Sequence, residues 1–470
     1  MKAVLDIGKT NLKLLVVDNS GKIELEASRK NTTNRQGTYP HADIEGIWKW
    51  FLETLQRFNG VSSIKSLIVT THGATAALID SKNSRLAMPV LDYEFEGIST
   101  IDDTYEALRP KFSETLSPSL PHGLNLGRQL FWLAQTYPQH FAKGDALLPY
   151  PQYWAWRLTG ITSTEVTSLG CHTDLWNPIK NCYSSLIQDQ GWGNLMPPLR
   201  NAWETIGCVT PEIANKFGLS DECQVFVGLH DSNSSYVRYL AATTEENENN
   251  NFCVISSGTW TILMQSGDAS DHLDGGRDML ANCDITGAPI ACARFMGGRE
   301  YQIICEELGG SGVDECKTAD IQTAINNQWF ATPDFSGGNG PFGGLTPQLH
   351  CPIPAKAPSA IATLYCALMI DQRLSDLKSD GAIYIEGTFL KNPLLCRLIA
   401  QLRPDQQVYL SQDTTGTVQG ALLLTEWNSQ PNSIPLNFSN CCASDFGGLN
   451  EYKFSWQEAI KTATKQLNIH

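Results

Sequence analysis

Residues 4–18 read VLDIGKTNLKLLVVD: an apolar run, a short polar turn around Gly8, and a second apolar run. The second run, Leu12-Lys13-Leu14-Leu15-Val16-Val17, stops at Asn19-Ser20-Gly21. Its length and composition predict a strand, so the opening pattern is strand, turn, strand. A third strand is expected at 23–27. Over 44–58 the period changes to that of a helix, with Ile47, Trp48, Phe51, Leu52, Leu55 and Phe58 on one side. Further strands are expected at 66–70, running into Thr71-His72-Gly73, and at 76–80. Helices are expected at 128–135 and 151–158, the second closed by Thr159-Gly160. A strand at 225–229 runs into His230-Asp231.

The polar, acidic stretch 243–251, TTEENENNN, is the best linker or surface loop. Directly after it, residues 252–267 read FCVISSGTWTILMQSG, again strand, Gly-Thr turn, strand. Recurrence of the opening pattern predicts two related domains, 1–245 and 252–470, facing each other. In the second half, 333–344 reads as an exposed Gly-rich loop. A helix covers 359–377 with Ser359 as its N-cap, and a strand at 382–385 ends in Glu386-Gly387-Thr388. A helix at 393–402, a strand at 407–410 and a helix at 417–424 complete the pattern. Alternating strands and helices in both halves give an α/β fold.

Composition narrows the functions. The 470 residues are too many for one ordinary core, and 42% hydrophobic with 18% charged is typical of a globular protein. A formal charge of −15 without a basic run argues against nucleic acid or an anionic membrane as main partner. No stretch of apolar residues is long enough to span a membrane, and no leader pattern opens the chain. The fourteen cysteines are scattered without a C-x-x-C pair, so they read as reduced thiols of a cytoplasmic protein, without a structural zinc site.

Gly8-Lys9-Thr10 matches the end of a P-loop, but the first glycine of that motif would fall on Ala3, and a strand follows where a helix is required. What remains is a set of glycine-containing turns after strands: 6–11, 71–73, 256–259 and 386–388. Backbone N–H groups in such turns can face phosphate. Thr10, Asn11, Ser257 and Thr259 add side-chain donors, and Lys9 and Lys13 add positive charge. Asp6 and Asp231 are poor packing residues at strand ends. Together they suit Mg²⁺ and acceptance of a proton from an attacking hydroxyl; in the alternative, Asp6 caps its turn and Asp231 caps the helix starting at Ser232-Asn233. His72 reads first as a satisfied polar residue, and Trp154, Trp156 and Trp260 as core. His230-Asp231 has no G-x-S-x-G elbow to make a hydrolase triad with, since GGSGV at 309–313 does not fit.

With these residues assembled, nearly the whole chain resembles the FGGY carbohydrate kinases of the actin-like ATPase superfamily. The D-x-G-x-[TS]-[NS] opening is matched by Asp6 to Asn11, and the G-x-D element by Gly228-Leu229-His230-Asp231. The S-G-T turn is matched by Ser257-Gly258-Thr259, and the adenosine-side turn by Gly387-Thr388 through Asn392. The closing helix is matched by 416–421. HDSNS from His230, SSGTWTILM from Ser256 and DIGKTNLK are most similar to the deoxyketose kinases of that family, the fuculokinase and rhamnulokinase type. MGGREYQ from Met296 lies where that type has a substrate residue just before and an ATP-contacting Gln within. The sequence departs from the family at Thr388, at Thr71-His72-Gly73 and at Asp92-Tyr93-Glu94.

The resemblance implies two actin-like (ribonuclease H-like) α/β domains with a nucleotide cleft between them. It implies transfer of the γ-phosphate of ATP to the C1 hydroxyl of a ketose, L-fuculose or L-rhamnulose above all. Asp231 would be the base, with Asp6 and Asp231 near Mg²⁺. His72, Gly73, His230, Ser232 and Arg294 would take the sugar. Lys9, Thr10, Asn11, Lys13, Ser257, Gly258, Thr259, Gln302, Gly387, Thr388 and Asn392 would take ATP. Ribulose, xylulose, erythrulose or a polyol is the alternative acceptor. An actin-like ATPase or an inactive sugar sensor is the alternative class. Oligomeric state is open, a homodimer included.

Overall fold

The computed structural model describes residues 1–242, 251–267, 270–412, 416–429 and 437–467. Apart from Asn251, the expected linker lies outside the described residues. The chain forms two compact units. The first joins Met1–Glu246 with Ala281–Pro289 and Thr414–Leu436; the second joins Asn247–Leu280, Ile290–Asp413 and Asn437–His470.

The first unit is built on a mixed sheet ordered Thr205–Cys208, Gln224–Phe226, Ser66–Thr71, Lys2–Ile7, Asn11–Val17, Ile23–Lys30. The three last-named strands are antiparallel neighbours, the central pairs are parallel, and the edge pair is antiparallel. Lys2–Ile7 is apolar at four of its six positions, Ala3 to Leu5 and Ile7, because both of its faces are covered. Ala3, Leu5 and Ile7 pack with Ile47, Phe51 and Leu55 of helix Ile44–Gln56 and with Trp154. On the other face Val4, Leu15 and Ile68 pack with Val418, Ala421 and Leu424 of helix Gly416–Leu424. That helix also lies on helix Asp231–Ala242, so closely that a Cβ on Gly420 would sit 1.6 Å from the Ser234 carbonyl oxygen.

The expected strand at 225–229 is two pieces, Gln224–Phe226 and Leu229–His230. Gly228 between them has φ +81°, and a Cβ there would lie 2.3 Å from the Val69 carbonyl oxygen. The kink re-pairs Leu229 and His230 with Thr70 and Thr71, and helix Asp231–Ala242 starts at once.

In the second unit, strands Pro289–Phe295, Thr261–Gln265, Phe252–Ser257, Ala382–Gly387, Val408–Ser411 and Phe438–Asn440 lie side by side. Read in that order, the neighbours are antiparallel, antiparallel, parallel, parallel and antiparallel. Read from Ile23–Lys30, the first sheet has the same succession, so the recurrence seen in the two hairpins extends through both sheets. Helix Pro358–Asp376 supplies much of this core through Ile361, Leu364, Leu368 and Leu374.

Two sequence expectations need correction here, and one element went unpredicted. Ser359 is not an N-cap: Pro358 occupies the first helical turn, Ala357 the cap position, and no side chain caps the helix. Pro is suited to that position because its missing N–H needs no partner there. The loop at 333–344 is not simply exposed. Asp334 is buried, and its carboxylate accepts from the N–H groups of Ser336 (2.6 Å), Gly338 (2.5 Å) and Gly344 (3.1 Å). Helix Leu449–Leu467 went unpredicted although Tyr452, Trp456 and Ile460 recur at helical spacing and are buried. Among the described residues no helix is long and apolar enough to cross a membrane.

Candidate active site

Parallel pairing in the first sheet brings three strand ends to one edge. Asp6 lies beside Thr70, and Leu229-His230 beside Thr70-Thr71. The turns at Gly8, His72 and His230-Asp231 therefore converge, as expected where ligands gather at strand ends. The Gly8 N–H donates to the Asn11 carbonyl oxygen (2.9 Å), leaving Thr10 and Asn11 exposed at the tip. Asn31 braces the turn, its Nδ2 donating to the Gly8 oxygen (2.8 Å).

Asp231 opens its helix at the positive end of the helix dipole. Its Oδ1 accepts from the Ser232 N–H (2.6 Å) and lies 3.2 Å from His230 Nε2, and 27% of its side chain is exposed, enough to be reached by a substrate. His230 is fixed from several sides. Its N–H donates to Thr167 Oγ1 (3.1 Å), which itself donates to buried Glu165 (2.6 Å). Its Nδ1 lies 3.3 Å from Asn233 Oδ1, and Asn233 Nδ2 donates to the Cys283 carbonyl oxygen, aiming the amide oxygen at the ring. Cys171 Sγ is 3.9 Å from Nε2. Burial favours the neutral forms of this thiol and imidazole, but their neighbours override it: His172 and then His230 draw the thiol pKa down, and Cys171 and then Asp231 draw the imidazole pKa up. Gly73 is required by this ring: a Cβ there would lie 2.8 Å from His230 Nε2.

His72 lies edge-on to Tyr93 (5.6 Å between centroids) and against Tyr150 (5.4 Å). Burial holds its pKa below the ordinary value. Lys9 does not extend toward the turn tip. Its ammonium pairs with Asp92, lies 3.3 Å from Glu94 and sits 4.5 Å above the Tyr93 ring. Asp92 also takes a hydrogen bond from Thr33 and one from the Glu94 N–H (3.0 Å). Burial alone would raise its pKa; Lys9 and Thr33 bring it below the usual carboxylate range.

In the second unit, the turn 257–259 lies beside the turn 387–389. Ser257 Oγ staples them, donating to the Glu386 carbonyl oxygen (2.7 Å) and accepting from the Phe389 N–H (2.9 Å). Gly387 is required at φ +87°, since a Cβ would come 2.0 Å from the Ser257 oxygen. Gly258, Thr259, Thr388 and Asn392 line a pocket of about 1040 Å³, together with Tyr301 and the segment 312–318. Asn392 also caps helix Pro393–Leu402 through its Oδ1. Gln302 is exposed on helix Gly297–Glu307 and bonds Glu306 (2.8 Å). Arg294 is paired with Asp278 (2.7 Å) and lies 4.8 Å over the Trp260 ring. Trp154 and Trp156 are buried as expected, whereas Trp260 is half-buried beneath that guanidinium.

The acidic pair fits a divalent cation. Burial and the Asp231 charge push the Asp6 pKa up to about 7, with Lys13 opposing. Such repulsion between carboxylates is what a bound cation relieves. Among the described residues no group of three or more His, Cys, Asp or Glu side chains is arranged for a metal. One or two carboxylates completed by phosphate oxygens is the Mg²⁺ pattern, not that of an all-protein site. The partners of Lys9, the Glu165–Thr167–His230 chain and the lining segment 312–318 were not anticipated. Spacing carries no signal for contacts between residues 63 or 83 positions apart.

These two sets of residues sit on a two-domain, actin-like α/β fold. The glycerol kinase of Plasmodium falciparum, solved with ADP, shares it with a TM-score of 0.79 at 13% identity, covering 98% of each chain. Residues 1–237 match the model described as "FGGY family of carbohydrate kinases, N-terminal domain", and 249–433 the one described as "Carbohydrate kinase FGGY, C-terminal domain". The crystal structure of a carbohydrate kinase from Novosphingobium aromaticivorans superposes with a TM-score of 0.88 at 32% identity, covering 98% of this chain and 100% of that one. The chain belongs to the FGGY family of carbohydrate kinases. It is 28% identical to the L-fuculokinase of Escherichia coli strain K12 over 269 residues, 56% of this chain and 55% of that protein. To the probable L-xylulose kinase of Pasteurella multocida strain Pm70 it is 26% identical over 286 residues, 57% and 56% of the two. The matches thus span about half the length of these curated relatives.

Proposed function

We propose that this protein transfers the γ-phosphate of ATP to the C1 hydroxyl of a ketose, a 6-deoxyketohexose such as L-fuculose or L-rhamnulose. The observation that carries the reading is Asp231: a reachable carboxylate at the first turn of a helix, beside His230 and coupled electrostatically to Asp6. Asp231 accepts the proton of the attacking hydroxyl, and His230, Ser232, His72 and Gly73 orient the sugar. Thr10, Asn11 and Lys13 of the first turn and the backbone of 257–259 hold phosphate. The pocket at Thr388 and Asn392 takes the adenosine end. Asp6 and Asp231 would hold Mg²⁺, which supplies neutralisation of phosphate charge when bound.

The relative named L-fuculokinase supports the deoxyhexose, and the one named probable L-xylulose kinase favours a ketopentose as second reading. The test is ADP release with Mg-ATP and L-fuculose, L-rhamnulose, ribulose, xylulose, erythrulose and glycerol. One strongly preferred 6-deoxyketose is expected. ATP hydrolysis indifferent to every sugar would instead favour an actin-like ATPase. Asp231→Asn should keep the fold by circular dichroism and lose turnover by about 100- to 10,000-fold, the usual range for a general base. Near-normal turnover would end that assignment.

A further inference from the structure

Lys9 follows Gly8 in a phosphate-type turn, yet its ammonium turns to Asp92 and Glu94 and stacks over Tyr93. Asp92 already accepts from Lys9, Thr33 and the Glu94 N–H, which leaves at most one of its four lone-pair positions for a sugar. Lys9, His72, Thr33, Asp92 and Tyr93 border a small open hollow of about 20 Å³. That is about the room one water-sized group takes, so a hydroxyl is accommodated more readily than a two-oxygen carboxylate. The charges agree with the space. One ammonium stands against two carboxylates in the cluster, and Tyr93 is near enough to Asp231 for that carboxylate, with Glu94 and Asp92, to add to burial in raising its phenol pKa. An anionic group entering here would have to displace Asp92 from Lys9 and then face Glu94 and Asp231, and like charges brought together oppose binding.

We propose that Lys9 is a sugar-side residue and not a phosphate ligand, and that the Lys9–Asp92–Glu94 cluster makes the site select neutral ketoses over sugar acids. This rests on the kinase reading above for the identity of the acceptor, but not for the allegiance of Lys9. Specificity of this kind works by internal partners that satisfy the Lys9 ammonium, so that a competing carboxylate gains nothing from it.

The experiment compares wild type, Lys9→Met, Asp92→Asn and the double variant. Calorimetry without sugar gives the Kd for Mg-ATP; steady-state assays give KM for the preferred ketose and kcat/KM for D-gluconate as the sugar-acid probe. Lys9→Met should leave the Mg-ATP Kd within about twofold and raise the ketose KM about tenfold or more, the loss expected when one buried charged partner goes. Asp92→Asn frees the ammonium and should raise kcat/KM for D-gluconate relative to the ketose about tenfold. If either single variant fails to fold, the double variant, which removes both members of the Lys9–Asp92 pair, should keep the ATP affinity and raise the ketose KM without any gain for D-gluconate. An ATP Kd weakened tenfold with ketose KM unchanged overturns the proposal. So does a wild type that phosphorylates D-gluconate as well as any ketose, or an Asp92→Asn variant whose preference does not move. A wild type that phosphorylates nothing sinks the kinase reading, while the ATP Kd of Lys9→Met, which needs no turnover, still decides where Lys9 acts.

Discussion

Single side chains in this protein are committed by their neighbours more than by their type. Ser257 was expected to offer its hydroxyl to phosphate; in the structure that hydroxyl staples two turns, so only backbone remains for a ligand. Glu300 shows the same dependence in its charge. It is buried at 1% exposure on helix Gly297–Glu307, and burial pushes its pKa up to about 7 against a hydrogen bond from Tyr365. A carboxyl whose folded pKa exceeds its unfolded value binds more protons folded than unfolded, so it lowers stability as pH rises from about 4.5 to about 7. Glu300→Gln should therefore melt higher than wild type at pH 8, by roughly 2 kcal/mol, with the gap closing near pH 4. Urea unfolding at both values checks this, and a gap that does not change with pH would falsify it.

At the level of elements, the deciding features are glycines that let backbones approach. Gly228 interrupts a strand so that His230 and Asp231 land on the site edge, at a left-handed φ and within 2.3 Å of a carbonyl for any Cβ. Gly228→Ala should cost about 2–4 kcal/mol, read from denaturant midpoints, and should lower turnover in whatever fraction stays folded. The same substitution at exposed Gly193, where nothing lies within 4 Å, should change the midpoint little. The unbroken strand expected from the apolar run 225–229 failed for a physical reason. Apolar content reports burial and not whether pairing is continuous.

For the whole molecule, the first unit is not contiguous in sequence. Its sheet face formed by Val4, Leu15, Ile68 and Phe226 is covered by Val418, Ala421 and Leu424, more than 170 positions beyond the end of its main segment. A chain ending at residue 246 lacks that cover, so it should aggregate or lack a cooperative melting transition, whereas the full chain should melt cooperatively. A soluble, cooperatively melting fragment would contradict the packing described. Mg-ATP at about 100 times its Kd should stabilise the full chain by about 2.7 kcal/mol, read as a shift in the denaturant midpoint.

Much of this architecture was legible in the sequence because it is local. Strand and helix periods, the two strand–turn–strand segments, and the aspartates and glycines at strand ends all express backbone sterics and one-sided burial within a few residues. The family resemblance could be read from the same short motifs. Only the tertiary structure decided which long-range partners those residues take: Lys9 with Asp92, Ser257 with the 386–389 backbone, His230 with Thr167 and Asn233, and helix Gly416–Leu424 against the first sheet. Charge pairing, burial and close backbone approach depend on distances in space, and sequence spacing does not encode distances between segments this far apart.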